Sequence, residues 1–249
     1  MSAPRLELKA VSKRFGDLEV LADINISVRP GEFVSILGPS GAGKSTILQL
    51  LTGALSPDGG AMACDGVPLD GNSHRFAFMP QRDALMPWRR VIDNTALGLE
   101  VQGMSRSAAR AVVQPLFAEF GLAGFERNYP AQLSGGMRQR AALLRTVVQE
   151  SSMLLLDEPF GALDALTRAR MQRWLSGMWT RHGWTVLLIT HDVREAVLLS
   201  DRIYVLSPRP ARILRHYEIP LPHPRTPANS HALAEVEADI LQTLLNLEE

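Results

Sequence analysis

Gly38-Pro39-Ser40-Gly41-Ala42-Gly43-Lys44-Ser45-Thr46 constrains this chain more than any other segment, because it lies between two apolar runs, Phe33 to Leu37 and Ile47 to Leu51. Gly38, Gly41 and Gly43 allow backbone angles and close approaches that a Cβ would block, so successive amides can turn toward one point. Lys44 adds a compact positive charge and Ser45 a hydroxyl. Buried strand, glycine loop, then helix is the order in which backbone N–H groups wrap an anion at a helix N-terminus. The segment predicts a phosphate-binding loop whose ligand is a nucleoside triphosphate. Lys44 would reach the β- and γ-phosphates, and Ser45 would coordinate a bridging Mg²⁺.

A chain of 249 residues can bury a substantial core, as one large α/β domain or a core with a smaller subdomain. Lys plus Arg number 26 and Asp plus Glu 26, so no global field draws it to nucleic acid or anionic lipid. The single cysteine, Cys64, excludes an intrachain disulfide and reads as a buried strand thiol in a reducing compartment. Met1 to Lys9 lacks the apolar segment of a signal peptide, and no run approaches the ~20 apolar residues that span a bilayer. A protein that is cytosolic or peripherally attached to a membrane is expected.

Leu6 to Lys9 and Ile24 to Val28 alternate as half-buried strands do, and predict an antiparallel sheet at the start. Turn signals at Ser56 to Gly60 and at Asp65-Gly66 bracket a short strand pair before Arg75 to Met79, which Pro80 ends. From about Arg82 to Glu150 the pattern becomes helical: Val91 to Leu99, Ser107 to Phe120 with a kink or break at Pro115, and Gly135 to Gln149. Strand and helix then alternate from Met153 to Leu206, the signature of a parallel sheet covered by helices. Leu166, Trp174, Leu175, Met178 and Trp179 share helical spacing and read as core. Pro220 to Pro227 reads as a stiff connector, and His231 to Leu247 as a last amphipathic helix packed on the core. The expected division is therefore residues 1–81 and 151–219 as a nucleotide-binding core with its antiparallel β subdomain, 82–150 as an inserted helical subdomain, and 220–249 as connector and terminal helix.

Met153 to Leu156 lead into Asp157 and Glu158, which places two carboxylates at the carboxyl edge of a parallel sheet, where α/β proteins bind ligands. Asp157 is expected to hold Mg²⁺, and Glu158 to act as general base on the water that attacks the γ-phosphate. His191 follows the strand Val186 to Thr190 at the same edge and is expected to contact the γ-phosphate and orient that water. Ser134 can cap a helix that opens with Gly135 and Gly136, giving a second positively polarised N-terminus suited to an anion. No second lysine-bearing loop accompanies it.

Gly38 to Thr46, Gln81, Leu133 to Gln139, Met153 to Glu158, Gly161 to Asp164 and His191 together resemble, in order and spacing, the motifs of ATP-binding cassette ATPases. The resemblance spans about Leu6 to Leu214. It implies an α/β P-loop NTPase of the ABC cassette type, with a RecA-like core and parallel sheet, an antiparallel β subdomain and an inserted helical subdomain. It implies ATP and Mg²⁺ as cofactors and a head-to-tail dimer. Ser134, Gly135, Gly136 and Gln139 of one subunit would then close on the ATP held by the P-loop of the other. By the same resemblance Gln81 senses Mg²⁺ and the attacking water, Asp164 communicates across the dimer, and Phe15, where tyrosine is more usual, stacks on adenine. A buried aromatic is the other reading of Phe15.

Gln81 to Trp88 with Val91 to Asn94, Asp157 to Asp164, and Ser207 to Ile213 look more narrowly like the ATPase subunits of bacterial importers for nitrate, taurine and aliphatic sulfonates, whose relatives also serve pyrimidine precursors. That likeness implies transmembrane permease partners, a solute-binding protein acting indirectly, no nucleic acid, and a peripheral position on the cytoplasmic face of the inner membrane. Leu85, Met86 and Trp88 would offer the permease an apolar patch, or else anchor the helical insertion. The alternatives are a soluble cassette ATPase acting on DNA or in translation, and a nucleotide-binding regulator without catalysis. Short insertion helices without sustained heptads weigh against the first, and an intact Glu158 and His191 against the second. The transported solute is not encoded in this chain.

Overall fold

The computed structural model describes residues 3–69, 75–225 and 230–246. Thr226, Pro227 and Leu247 lie outside them. Two strands, β1 (Leu6–Phe15) and β2 (Leu18–Val28), form the predicted antiparallel pair, and β3 (Phe33–Leu37) then enters the centre of a second sheet. Helix α1 (Lys44–Leu51) follows the glycine loop directly. Strands β4 (Gly59–Cys64) and β5 (Val67–Pro68) extend the first sheet, whose order is β2-β1-β4-β5, and Cys64 is buried in it. Strand β6 (Phe76–Met79) opens the edge of the second sheet.

Five α-helices separate β6 from its partner, with one 3-10 turn, Pro130–Gln132, before the last: α2 (Val91–Thr95), α3 (Leu97–Val101), α4 (Arg106–Val113), α5 (Leu116–Glu119) and α6 (Gly135–Val147). Two spans that sequence periodicity reads as single helices are each divided. Pro115 sits at the N-cap of α5, where its missing N–H costs nothing, so the expected kink is a break. Strand β7 (Met153–Asp157), α7 (Ala165–His182), β8 (Val186–Thr190), α8 (Val193–Leu199) and β9 (Arg202–Leu206) restore the alternation. Strand β10 (Ile213–Glu218), not anticipated from sequence, pairs antiparallel with β9, and α9 (Ser230–Leu245) ends the described fold.

The second sheet runs β10-β9-β3-β8-β7-β6, with all neighbours from β9 to β6 parallel. Its central strands are buried on both faces, which explains their unbroken apolar sequences. Met153, Leu155, Leu187 and Ile189 pack with α1 and the antiparallel sheet, while Leu154, Leu156, Val186 and Leu188 pack with α2 to α7. Leu175, Met178 and Trp179 join the second of these cores, as their spacing predicts, but Leu166 is 60% exposed. It lies in the first turn of α7, ahead of the point where the helix meets the sheet. Leu233 and Ile240 anchor α9 on α8 and β9.

Candidate functional site

All five parallel strands end on the edge that carries the glycine loop. Gly41 and Gly43 adopt φ values of 78° and 107°, in the left-handed region, and a Cβ at Gly43 would approach the Leu21 side chain to 2.8 Å. The loop folds around its own lysine: Lys44 Nζ donates to the carbonyls of Gly38 at 2.7 Å and Pro39 at 2.9 Å. Burial lowers the Lys44 pKa, an effect opposed by the carboxylates of Glu158 and Asp157. Burial likewise raises the Asp157 carboxyl, helped by Glu158 and opposed by Lys44. Ala42 is buried, whereas Ser40, Gly41 and Ser45 face the cleft and Pro39 and Thr46 are half-buried beside it.

Three residues from three strand ends meet. Gln81, just past β6, donates from Nε2 to Glu158 Oε2 at 2.9 Å, and His191 Nδ1, just past β8, lies 3.0 Å from Glu158 Oε1. Glu158 occupies the left-handed region at φ 41°, a conformation that costs a non-glycine residue on the order of 1 kcal/mol. Its amide donates to Ile189 of β8, so the strained residue is held by the sheet itself. Phe15 and Leu18 form an exposed apolar wall of the same cleft; Phe15 is 46% exposed, which removes the buried-aromatic reading. Arg209, which sequence reasoning did not select, also lines it. The turn that presents Arg209 is tied to β2 by reciprocal backbone bonds of Ala211 with Val20 and Ala22. Its legible signal is a cation flanked by two prolines at the carboxyl end of a parallel strand.

Ser134 caps α6 by accepting from the Met137 amide at 3.3 Å, and Gly135 and Gly136 form the first turn. None of Ser134, Gly135 or Gly136 lines the P-loop cleft. Gln139, further along the same helix, is buried and lines a small void with Leu143, Leu156 and Met171, whereas Ser134 stands at the exposed tip. Asp164 caps α7, accepting from Thr167 N at 3.0 Å, and this backbone bond holds its carboxyl below the usual range. The loop after Gln81 is fastened to α6, since Arg138 pairs with Asp83 at 3.1 Å and Arg145 donates to the Asp83 and Ala84 carbonyls. Leu85 is buried in the core and Met86 half-buried, which leaves Trp88, 74% exposed, as the apolar surface of that loop. Trp88 therefore does not anchor the helical insertion.

Behind His191, Asp192 caps α8, and Glu195 is buried with its pKa pushed up to about 8 by desolvation and by Asp192. Between the ordinary value of 4.5 and about 8, the folded chain keeps a proton that the unfolded chain has released. Stability should therefore fall as pH rises through that window, by on the order of 5 kcal/mol in all. Urea midpoints of the wild-type protein are expected to decline from pH 5 to pH 9 and those of Glu195→Gln to stay nearly level. Parallel declines would assign the titration to another group.

A glycine loop at a helix N-terminus, with two carboxylates and a histidine at the neighbouring strand ends, defines a nucleoside-triphosphate-binding α/β protein. Residues 21–161 match the family model described as ABC transporter. Along nearly its whole length the chain is also similar to curated proteins. It is 44% identical to aliphatic sulfonates import ATP-binding protein SsuB 2 of Pseudomonas aeruginosa (strain UCBPP-PA14), over 96% of this chain and 84% of that one. It is 44% identical to the SsuB 1 protein of Rhodococcus jostii (strain RHA1), over 96% and 93%. Among solved structures, the dimeric post-hydrolysis state of the ATP-binding cassette MJ0796 bound to ADP and Pi superposes with a TM-score of 0.72 at 28% identity, over 89% of this chain and 99% of that one. The chain belongs to the ABC transporter family, as an ATP-hydrolysing cassette with the RecA-like core, antiparallel sheet and helical region of that fold.

Proposed function

We propose that this importer ATPase energises uptake of a small solute of the nitrate, sulfonate, taurine or pyrimidine-precursor type by ATP-driven closure of a homodimer on the cytoplasmic face of the inner membrane. The observation that carries the dimer is the separation of two anion-binding elements: the cleft holds Lys44, Glu158 and Arg209, while the capped, glycine-lined tip of α6 stands outside it. The cassette MJ0796 is dimeric in its solved structures. A two-fold axis would bring the Ser134 tip of one subunit onto the cleft of the other, so that each nucleotide is bound by both.

In this reading the amides of residues 38–46, Lys44 and Arg209 bind the phosphates, and Phe15 stacks on the base. Glu158 takes the proton of the attacking water, His191 and Gln81 hold that water and the γ-phosphate, and Asp164 senses the partner. Mg²⁺ fits the donor set: Ser45, Gln81 and the desolvated Asp157 supply oxygen ligands, and Mg²⁺ takes its others from phosphate and water. Among the described residues no cluster of three His, Cys, Asp or Glu could hold a metal unaided. When bound, Mg²⁺ would neutralise charge on the phosphate oxygens. Residues 82–150 act as the helical insertion, and exposed Trp88 offers the permease its docking surface, coupled to the nucleotide through Gln81 and to α6 through the Asp83–Arg138 pair. No helix among the described residues is long and apolar enough to cross a membrane.

Arg209→Ala is expected to weaken ATP binding about tenfold, the worth of one charge-assisted contact, with kcat at saturating ATP nearly unchanged. Fluorescence titration with a nucleotide analogue measures it, and equal affinities would remove Arg209 from the phosphate site. The full reading is tested by purifying the chain with its permease, reconstituting both in vesicles and adding solute-binding protein. Hydrolysis should rise when the binding protein is loaded with an alkyl sulfonate. Maximal hydrolysis without any membrane partner would favour the soluble cassette alternative.

A further inference from the structure

Asn94 is fully buried in α2, a costly place for a side-chain amide unless its donors and acceptor are used. Its Oδ1 accepts from the Met86 amide at 2.6 Å. Its Nδ2 faces three carbonyls, of Met86 at 3.1 Å, Arg89 at 3.1 Å and Arg90 at 3.2 Å. One backbone N–H needs the oxygen and three carbonyls need the NH₂, so this network admits a single orientation of the side-chain amide. Every one of these partners lies on the segment 86–90, which precedes α2 and carries Trp88.

That segment is a hydrogen-bonded turn. The Arg89 amide donates to the Met86 carbonyl at 3.1 Å, with Pro87 and Trp88 as the two central residues. Proline suits the first central position because its ring presets φ. Asn94 clasps both arms, Met86 on the way in and Arg89 with Arg90 on the way out. Arg89 adds a tie to α3, its Nη2 donating to both carboxylate oxygens of Glu100 at 2.7 Å. The clasp is itself held. Asp93, next to Asn94 and also buried, accepts from Arg106 and Arg110 of α4 at distances of 2.7 to 3.1 Å. A large apolar ring, Trp88, is thus fixed in solvent at the tip of a turn whose backbone is bonded on both sides.

We propose that Asn94 is a positioning residue for docking: it holds the 86–90 turn in the shape in which Trp88 enters an apolar socket on the permease. A surface ordered before contact loses less conformational freedom on binding, so the clasp acts on affinity and not on the chemistry of hydrolysis. Aspartate, of the same size, would keep the acceptor and lose the donors, and leucine would lose both. Gln81 lies outside the clasp, because Asp83 and Ala84, between it and the turn, are fastened separately by Arg138 and Arg145. The inference rests on Trp88 being the permease contact, and its test separates the two.

Asn94→Ala and Trp88→Ala are compared with wild type in two measurements. Amide hydrogen exchange of the full-length chain with Mg-ADP reads the clasp: in Asn94→Ala the Met86 amide should exchange at least about tenfold faster, the worth of one hydrogen bond, while amides of α4 and α6 keep their protection. Titration of each variant into vesicles carrying the permease stripped of its cassette, with solute-binding protein and an alkyl sulfonate present, reads the docking. For Asn94→Ala the concentration giving half-maximal hydrolysis should rise about tenfold. The maximal rate, and hydrolysis by the chain alone, should stay within about twofold of wild type, the pattern of lost binding without lost chemistry. A fall in those rates with unchanged half-saturation would make Asn94 a structural residue only and overturn the proposal. If Asn94→Ala fails to fold, Pro87→Gly decides: it loosens the same turn at an exposed position, and an unchanged half-saturation there overturns the proposal. Unchanged half-saturation for Trp88→Ala would remove Trp88 from the interface and the inference with it, whereas a shift for Trp88→Ala with none for Asn94→Ala would remove Asn94 alone.

Discussion

Glu158→Gln is expected to lower steady-state ATP hydrolysis by about 10²- to 10⁴-fold, the usual worth of a positioned general base, while ATP still binds. The substitution isolates the base because the surrounding bonds survive it. The new amide oxygen can accept from Gln81 Nε2 as Glu158 Oε2 does, and its NH₂ can donate to His191 Nδ1 if that ring carries its proton on Nε2. The strained turn at φ 41° is a backbone feature fixed by the bond to Ile189 and is unaffected. Release of phosphate from purified protein gives the rate, and gel filtration with ATP gives the assembly. A trapped dimer with ATP bound and no turnover is the predicted pair of results; turnover within threefold of wild type would remove Glu158 from the base role.

How legible this site was depended on whether a residue's role is local. The glycine loop could be read because its chemistry is written in backbone freedom and one lysine, all within a strand-to-helix turn. Glu158 and His191 could be read because each follows an apolar strand, and parallel strands deliver their ends to one edge. Their contact with Gln81 was not readable from spacing, since it depends on the order β8-β7-β6 bringing three distant strand ends side by side. Arg209 was missed for a related reason: its turn reaches the cleft only because Ala211 bonds to β2, some 190 positions earlier in the chain.

Gln139 shows that spacing does not tell which face of a helix a residue occupies. It lies within the motif that carries the resemblance, yet it is buried, whereas Ser134 stands at the exposed tip. Leu166 was wrongly placed in the core, since helical spacing identifies a stripe but not where along the helix packing begins. Strand β10 went unread because it is an edge strand with one buried side chain, Tyr217, and so lacks the alternation that marks β-structure.

Gly135→Asp should leave ATP binding to the monomer intact and abolish ATP-driven dimerisation, with ATPase activity falling at least about 100-fold. The fold should tolerate the change. A Cβ at Gly135 meets the Leu163 side-chain terminus at 3.1 Å and Arg138 Nη2 at 3.9 Å, both ends of flexible side chains, and a carboxylate in the first turn of a helix is favoured by the helix dipole. In the monomer the new charge stands outside the nucleotide cleft, so Lys44 and the loop amides keep their ligand. In a two-fold dimer the same carboxylate would face the phosphates held by the partner. Like charges brought together at an interface cost several kcal/mol, which is enough to exceed the closure free energy of a transient dimer. Thermal unfolding, nucleotide titration and light scattering with ATP in a hydrolysis-deficient background separate the three quantities. If dimerisation persisted with normal ATP affinity, the tip of α6 could not lie on the partner's nucleotide, and the composite site would have to be abandoned while the P-loop assignment stood.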